Sequence, residues 1–438
     1  MNIDLRLHIE NRERVRQNLG EGEALLLFGA THHLRNGDAE YSFRQDSNFL
    51  YISGLHEADT ALFIVGGEAG SYTLFVTPKD KKKEIWTGTM VGLERAVSEY
   101  GADKSYPIGE LKEKLVDLFG GISTLYYRFG ESHSRDKLIQ EATSAARRKS
   151  RKNYKVTPTR FVEPDSLLGP IRLIKSSLEI NLMERAVDLT RDAHAAAMKI
   201  GFPGRMEYEL ESVISHTFRM GGGVGPSYES IVASGANACT LHYVNNDRKI
   251  VDGDLILIDA GCEYRGYAAD VTRTFPASGT FTEPQRALYE LVLKANCDVV
   301  ELVAPGVRFC ELQKLTIRIL TEGLVGLGLL EGDVDKLIED RAHERFYMHG
   351  VSHWLGLDVH DAGAYWENGD SIVLREGMVL TIEPGIYIQP DDLDAPEAYR
   401  GIGIRIEDDV LVTATGSRNL TAQIPKSIED IELSLSSR

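Results

Sequence analysis

Two aspartates, Asp259 and Asp270, stand eleven residues apart in LILIDAGCEYRGYAADVTRTF, a spacing that suits two strands joined by a tight turn. If the chain reverses between Tyr264 and Arg265, the two acids become direct partners on one face of an antiparallel pair, with Cβ atoms roughly 4.5–5.5 Å apart. Carboxylates that close repel, so without a cation one must take up a proton or the fold loses stability. A divalent metal removes the repulsion and turns the pair into a ligand set. A hairpin whose acids face solvent is the alternative of equal weight. Against it stands the apolar run Leu255, Ile256, Leu257 and Ile258, which leads into Asp259 and reads as buried strand.

Two glutamates repeat the theme further along. MVLTIEPG at 378–385 and GIGIRIED at 401–408 are short strands rich in branched apolar residues, and each carries a glutamate, Glu383 or Glu407, at its end. The polar stretch IYIQPDDLDAPEAYR between them reads as a loop joining paired strands. Arg405 lies two positions before Glu407 and so shares its sheet face. An acid beside an arginine is most often a plain salt bridge, but charge emerging from apolar strands is costly unless partnered.

Nitrogen donors are at hand. Of twelve histidines, His349, His353 and His360 fall within FYMHGVSHWLGLDVHDAG, and His242 stands in NACTLHY shortly before the aspartate pair. Gly350, Ser352 and Gly356 argue for an irregular segment or a strand lining a pocket rather than a helix. Any one of these histidines alone is more often structural, and the clustering does not say which imidazole binds a metal. Four carboxylates with one imidazole suit Mn²⁺, Co²⁺ or Zn²⁺, and two ions can share the set if two acids bridge. Paired ions roughly 3.5–4 Å apart activate a water and clamp an oxygen in hydrolysis.

Elements that could position these residues follow from the rest of the chain. Its 438 residues suggest two or three domains with ample apolar content for a core. A net charge of −17 excludes a general phosphate-backbone binder and makes nucleic acid and anionic membrane poor partners. The polar start MNIDLRLHIENRERVRQNLG lacks the apolar core of a secretory signal, and no stretch approaches the roughly 20 apolar residues of a membrane span. The four cysteines, Cys239, Cys262, Cys297 and Cys310, form no CxxC pair, which points to a reducing cytoplasm.

Residues from about 24 to 165 alternate apolar runs (ALLLF, NFLYISGL, TALFIVGG, YTLFVTP) with helical stretches such as IGELKEKLVDLF, the texture of an α/β domain. The basic, proline-bearing stretch from Arg147 to Arg172 reads as a linker. Ser176 followed by Glu179 forms a capping box that opens an amphipathic helix. The expected division is an amino-terminal α/β domain with linker over 1–170 and a catalytic domain over 171–438. Helices followed by acid-bearing strands occur twice in the second part, as a duplicated α+β unit would require.

Asp259–Ala260–Gly261, ADVTRTF around Asp270, HGVSH with His349 and His353, TIEPG at Glu383 and GIRIED at Glu407 resemble, in order and spacing, the five ligand motifs of the pita-bread metallopeptidases. Within that superfamily the chain is similar to the aminopeptidase P (Xaa-Pro aminopeptidase) family. FRQDSNFLYISGL at 43–55 resembles its amino-terminal domain, while GANACTLHY, SHWLGLDVHDAG and YRGIGIRIEDDV resemble its catalytic domain. The resemblance implies hydrolysis of the bond between an N-terminal residue and a following proline by a water activated between two divalent ions, most often manganese.

It further implies that Asp270 and Glu407 bridge the ions, that Asp259 completes one site and that His353 with Glu383 completes the other. Glu383 would accept a proton. His242 and His360 would contact substrate and either assist proton transfer or stabilise the tetrahedral oxyanion. His349 would line the pocket or support a ligand from behind, Tyr228 and Tyr387 would line the pocket, and Arg405 would orient Asp259. A homodimer or homotetramer is implied too, with Trp86 either lining a neighbour's site or buried in its own subunit. The nearest rival is an Xaa-Pro dipeptidase; a metal-free peptide-binding pseudoenzyme is more remote.

Overall fold

The computed structural model describes residues 5–68, 70–151 and 154–436, in two compact units, Met1–Ile171 and Arg172–Arg438. In the first unit six strands form one mixed sheet in the order Lys104–Pro107, Tyr72–Val76, Ala61–Val65, Glu23–Phe28, Thr124–Tyr126, Arg160–Val162. Leu26, Phe63 and Phe75 pack with Leu115 and Ile139 of the helices Leu111–Leu118 and His133–Ser150, and with Phe119 just past the first of them. Leu25, Ile64 and Leu74, on the other face, are equally buried. Burial on both faces explains why these strands read as unbroken apolar runs.

Two expectations for this unit need correction. NFLYISGL is not a strand but the helix Ser47–Ser53, started by the Asp46 carboxylate accepting the Phe49 N–H and stopped by Gly54 at φ 66°. All seven of its residues are buried, so no exposed polar face interrupts the run Phe49, Leu50, Tyr51, Ile52 and the composition looks like that of a strand. The stretch taken as a linker contains ordered elements: Arg160–Val162 pairs parallel to Thr124–Tyr126, and Asp165–Leu173 is a helix. The strand is a short edge strand with two of three residues exposed, which removed the apolar signal. Trp86, on the helix Lys81–Thr87, is 88% exposed and so is not buried in its own subunit.

The second unit repeats one order of elements. The helices Ser177–Ile200 and Glu207–Met220 precede a long hairpin over 255–276, and the helices Glu283–Leu302 and Phe309–Gly326 precede another over 379–412. Ser176 and Glu179 form the expected capping box, with both reciprocal bonds present. Apolar faces of the helices (Leu210, Ile214, Phe218, Leu288, Val292) pack on Ile256, Ile258, Phe275, Ile404 and Ile406 of the strands. Among the described residues no helix is long and apolar enough to cross a membrane.

Candidate metal centre

The first hairpin does not pair Asp259 with Asp270. Its register joins Asp259 to Thr272 and Tyr264 to Tyr267, so the turn is Arg265–Gly266, one step later than expected. Both turn residues have positive φ, 51° and 90°, the geometry of a two-residue type I′ turn that matches strand twist. The same register runs through the gap between the strand pieces, with Ala260 N–H bonded to Val271 O and Ala269 N–H to Cys262 O. Asp270, two residues before Thr272, therefore shares the Asp259 face as a diagonal neighbour. Gly261 leaves the room opposite: a Cβ there would fall 1.7 Å from Ala269 O.

Direct opposition occurs in the second hairpin instead. Val379 pairs with Leu411, Ile382 with Asp408 and Gly385 with Arg405, a single register that sets Glu383 across from Glu407. Neither glutamate N–H serves the hairpin. That of Glu383 donates to Val351 O at 2.8 Å, and that of Glu407 donates to Thr272 O at 3.1 Å in the first hairpin. The irregular segment bearing His353 lies along this strand, with Thr381 N–H on His353 O, Leu355 N–H on Val379 O and His353 N–H on Thr381 Oγ1. The absence of helix around His353 is as the glycines suggested.

Side chains from all these elements meet. Asp270, His353 and Glu407 place ligand atoms within 4.8 Å of one another. His353 Nε2 lies 3.4 Å from Asp270 Oδ2 and 3.5 Å from Glu383 Oε1. Asp259 joins through its partners: Tyr228 OH donates to its Oδ1 at 2.5 Å and Arg405 Nη2 to its Oδ2 at 2.7 Å. Arg405 Nε donates to Thr272 Oγ1, whose hydroxyl donates to Glu407 Oε2 at 2.7 Å. Arg405 Nη1 donates to Tyr387 OH, which lies 2.9 Å from His349 Nε2.

Burial and mutual repulsion dominate the electrostatics. Burial pushes Asp259, Glu383 and Glu407 upward, Glu383 to about 7, with neighbouring acids adding to the push. On His353 burial opposes a charge, yet the bond to Asp270 and the charges of Asp270 and Glu383 outweigh it and raise the imidazole to about 9. Among the described residues, four carboxylates thus come together with one guanidinium, that of Arg405, bonded among them, an arrangement that suits divalent cations. His353 fits as a ligand: Nδ1 faces Trp354 O at 3.2 Å, which only accepts, so in the neutral ring the Nε2 lone pair faces the acids.

The remaining sequence candidates surround this cluster. His360 stacks edge-on to His353 with centroids 4.4 Å apart, and burial, then His353, lowers it. His349 is held near 4 by burial and by Arg405. Its Nδ1 faces Gly350 O, so that nitrogen carries the proton and Nε2 accepts from Tyr387. His242 is exposed, yet lies near enough to His349 and His360 for its charge to depress both.

Several contributors went unnoticed in the sequence. Thr272 joins Arg405 to Glu407, and two-residue alternation from Asp270 already placed it on that face. Asp409, by the same alternation from Glu407, accepts the Asp270 N–H at 3.2 Å. Asp361 is buried against Arg172 and Lys175 and anchors the turn after His353, a contact across nearly 190 positions that no local pattern announces.

Two duplicated helix and hairpin halves closing on a buried acidic centre define a metallopeptidase of the pita-bread type. The chain belongs to metallopeptidase family M24, which it matches over residues 181–414, and residues 8–126 match the aminopeptidase P N-terminal domain. The Xaa-Pro aminopeptidase of Haemophilus influenzae is 46% identical over 425 residues, 97% of this chain and 95% of its own. The structure of Pseudomonas aeruginosa aminopeptidase PepP superposes with a TM-score of 0.96 at 43% identity, covering 100% of this chain and 99% of that one. Zinc-substituted Escherichia coli aminopeptidase P in complex with product gives 0.95 at 42%, covering 100% and 99%.

Replacing Thr272 with Val keeps shape but strips Arg405 Nε and Glu407 Oε2 of their shared partner. The expected result is a loss of metal affinity of about 10–100-fold. It is read from the Mn²⁺ concentration that raises the Tm of chelator-treated protein; an unchanged midpoint would make the hydroxyl dispensable.

Proposed function

We propose that this protein is an aminopeptidase that releases the N-terminal residue from peptides with proline in second position, using two divalent ions, manganese first among them and cobalt or zinc as substitutes. The observation that carries this reading is the meeting of Asp259, Asp270, Glu383 and Glu407, on two hairpins, with His353, on the segment alongside the second, within a chain that resembles Xaa-Pro aminopeptidases along nearly its whole length. Asp270 and Glu407 would be shared between the ions, Asp259 would serve one and His353 with Glu383 the other. When bound, such ions polarise a carbonyl and lower the pKa of water.

The chain's own groups do the rest. Glu383 takes a proton from the attacking water and returns it to the departing proline nitrogen. His242 and His360 flank the peptide and donate to its carbonyl oxygens. Neutral His349, fixed by Tyr387, lines the pocket with Tyr228. Arg405 holds Asp259 in place through its short bond. An excess of carboxylates attracts the ammonium end of a peptide, and the bond before proline has no N–H for an ordinary peptidase to hold.

Incubating Xaa-Pro-Xaa tripeptide with chelator-treated protein, with and without Mn²⁺, tests chemistry and specificity together. Release of Xaa only when metal is present is expected; an intact tripeptide alongside cleaved Xaa-Pro would mean a dipeptidase, and no metal-dependent cleavage of either a binding module.

Roles within the site separate by substitution. Glu407→Gln or Asp270→Asn is expected to abolish turnover, and His360→Ala to keep its metal while losing about 10²–10⁴-fold in rate. Metal loss with normal turnover after reconstitution of His360→Ala would reverse the histidine assignments.

We further propose a cytoplasmic enzyme, a placement that suits its four unpaired cysteines, assembled as a homodimer or homotetramer in which exposed Trp86 reaches a neighbouring copy. Sedimentation should show the oligomer, and Trp86→Ala should raise KM; a monomer with full activity would refute the assembly.

A further inference from the structure

The helix Glu207–Met220 opens with a carboxylate that the reaction as proposed leaves unused. Glu207 is fully buried and gathers five hydrogen bonds. Its Oε1 accepts the Ser234 N–H and hydroxyl, each at 2.7 Å, and the Asn237 amide at 3.1 Å. Its Oε2 accepts the Tyr243 hydroxyl and the Arg248 N–H, each at 2.8 Å. All five donate here, and each oxygen takes a backbone N–H that can only donate, Ser234 on Oε1 and Arg248 on Oε2, so an amide in either orientation would set its own N–H groups against one of them.

These partners flank His242 on both sides. They lie at the end of the strand Ile231–Ser234, in the single 3-10 turn Gly235–Cys239, and in residues 243–248, which belong to no helix or strand. The same segment is wedged from the opposite side: a Cβ on Gly403 would fall 2.2 Å from Ala238 O, and Gln389 donates to Cys239 O. Its far end is clamped separately by Asn246, which accepts the Val232 N–H and donates to Ser230 O and Glu211. By contrast, among the described residues no hydrogen bond to the His242 ring is found, so its placement depends on the backbone that carries it.

We propose that Glu207 is a positioning residue for the reaction, holding the segment from Ser234 to Arg248 so that the His242 imidazole faces the bound peptide. This rests on the substrate-facing role given to His242 above. Glu207 touches no reacting atom and acts only through that histidine, which makes coupling between the two the quantity to measure.

The test compares manganese-loaded, full-length wild type, Glu207→Gln, His242→Ala and the double variant on an Xaa-Pro-Xaa peptide, with metal content and Tm recorded for each. Each single substitution is expected to lower kcat by about 10²-fold while metal content stays at the wild-type level. The double variant should be no slower than His242→Ala to within about twofold. Losses that multiply would show that Glu207 acts elsewhere and would overturn the inference while sparing the role of His242. A His242→Ala enzyme with unchanged kcat would refute the histidine's role, and the inference with it. Should Glu207→Gln fail to fold, Tyr243→Phe removes one bond from the same carboxylate and is expected to show a smaller loss that likewise does not multiply with His242→Ala.

Discussion

Repulsion among buried acids governs this molecule. Asp259, Asp270, Glu383 and Glu407 converge where water is largely excluded, and Arg405 is the guanidinium bonded among them. Each unpaired ion in such a place costs several kcal/mol even after relaxation, on the order of a whole domain's net stability. Tyr228, Thr272 and Arg405 offset part of it by donating to Asp259 and Glu407. The remainder is the repulsion that bound divalent cations would relieve.

Two-residue alternation lets one pair of strands carry both the strained face and the fastening that tolerates it. Asp270, Thr272, Glu407 and Asp409 share the acidic face. On the opposite face Arg273, fully buried, donates to Asp408 at 2.8 Å, to Glu407 O at 2.6 Å and to Ile424 O, while Lys426 also meets Asp408 at 2.5 Å. The consequence is visible in neighbours. Burial alone would raise Asp408, but Arg273 and Lys426 hold it far below the ordinary carboxylate range. Glu407, one position earlier, is pushed far above it by burial and by Asp270. The two hairpins are thus bolted by balanced charge behind and left unbalanced in front.

What could be read in the sequence follows the range of the interactions. Faces were legible because alternation is local: Asp259 with Asp270, and Arg405 with Glu407, share a face as spacing required. Register was less so. The turn settled on Arg265–Gly266 because glycine accepts a positive φ beside a residue that tolerates it, and this moved Asp270 from opposite to diagonal. The helix Ser47–Ser53 and the edge strand Arg160–Val162 were obscured by burial and exposure that tertiary neighbours impose. Long-range contacts such as Arg172 with Asp361, or the five donors on Glu207, left no local trace.

The second hairpin also breaks at its two acids, and that break has a cause. Between Ile382 and Gly385, and between Arg405 and Asp408, ladder pairing lapses although the register is kept. There the Glu383 N–H is given to Val351, on the segment leading to His353, and the Glu407 N–H to Thr272, on the first hairpin. Each acid-bearing peptide therefore gives up a bond inside its own hairpin to fasten a different segment of the site. The histidine segment, the first hairpin and the second are thereby fastened to one another at the acids themselves.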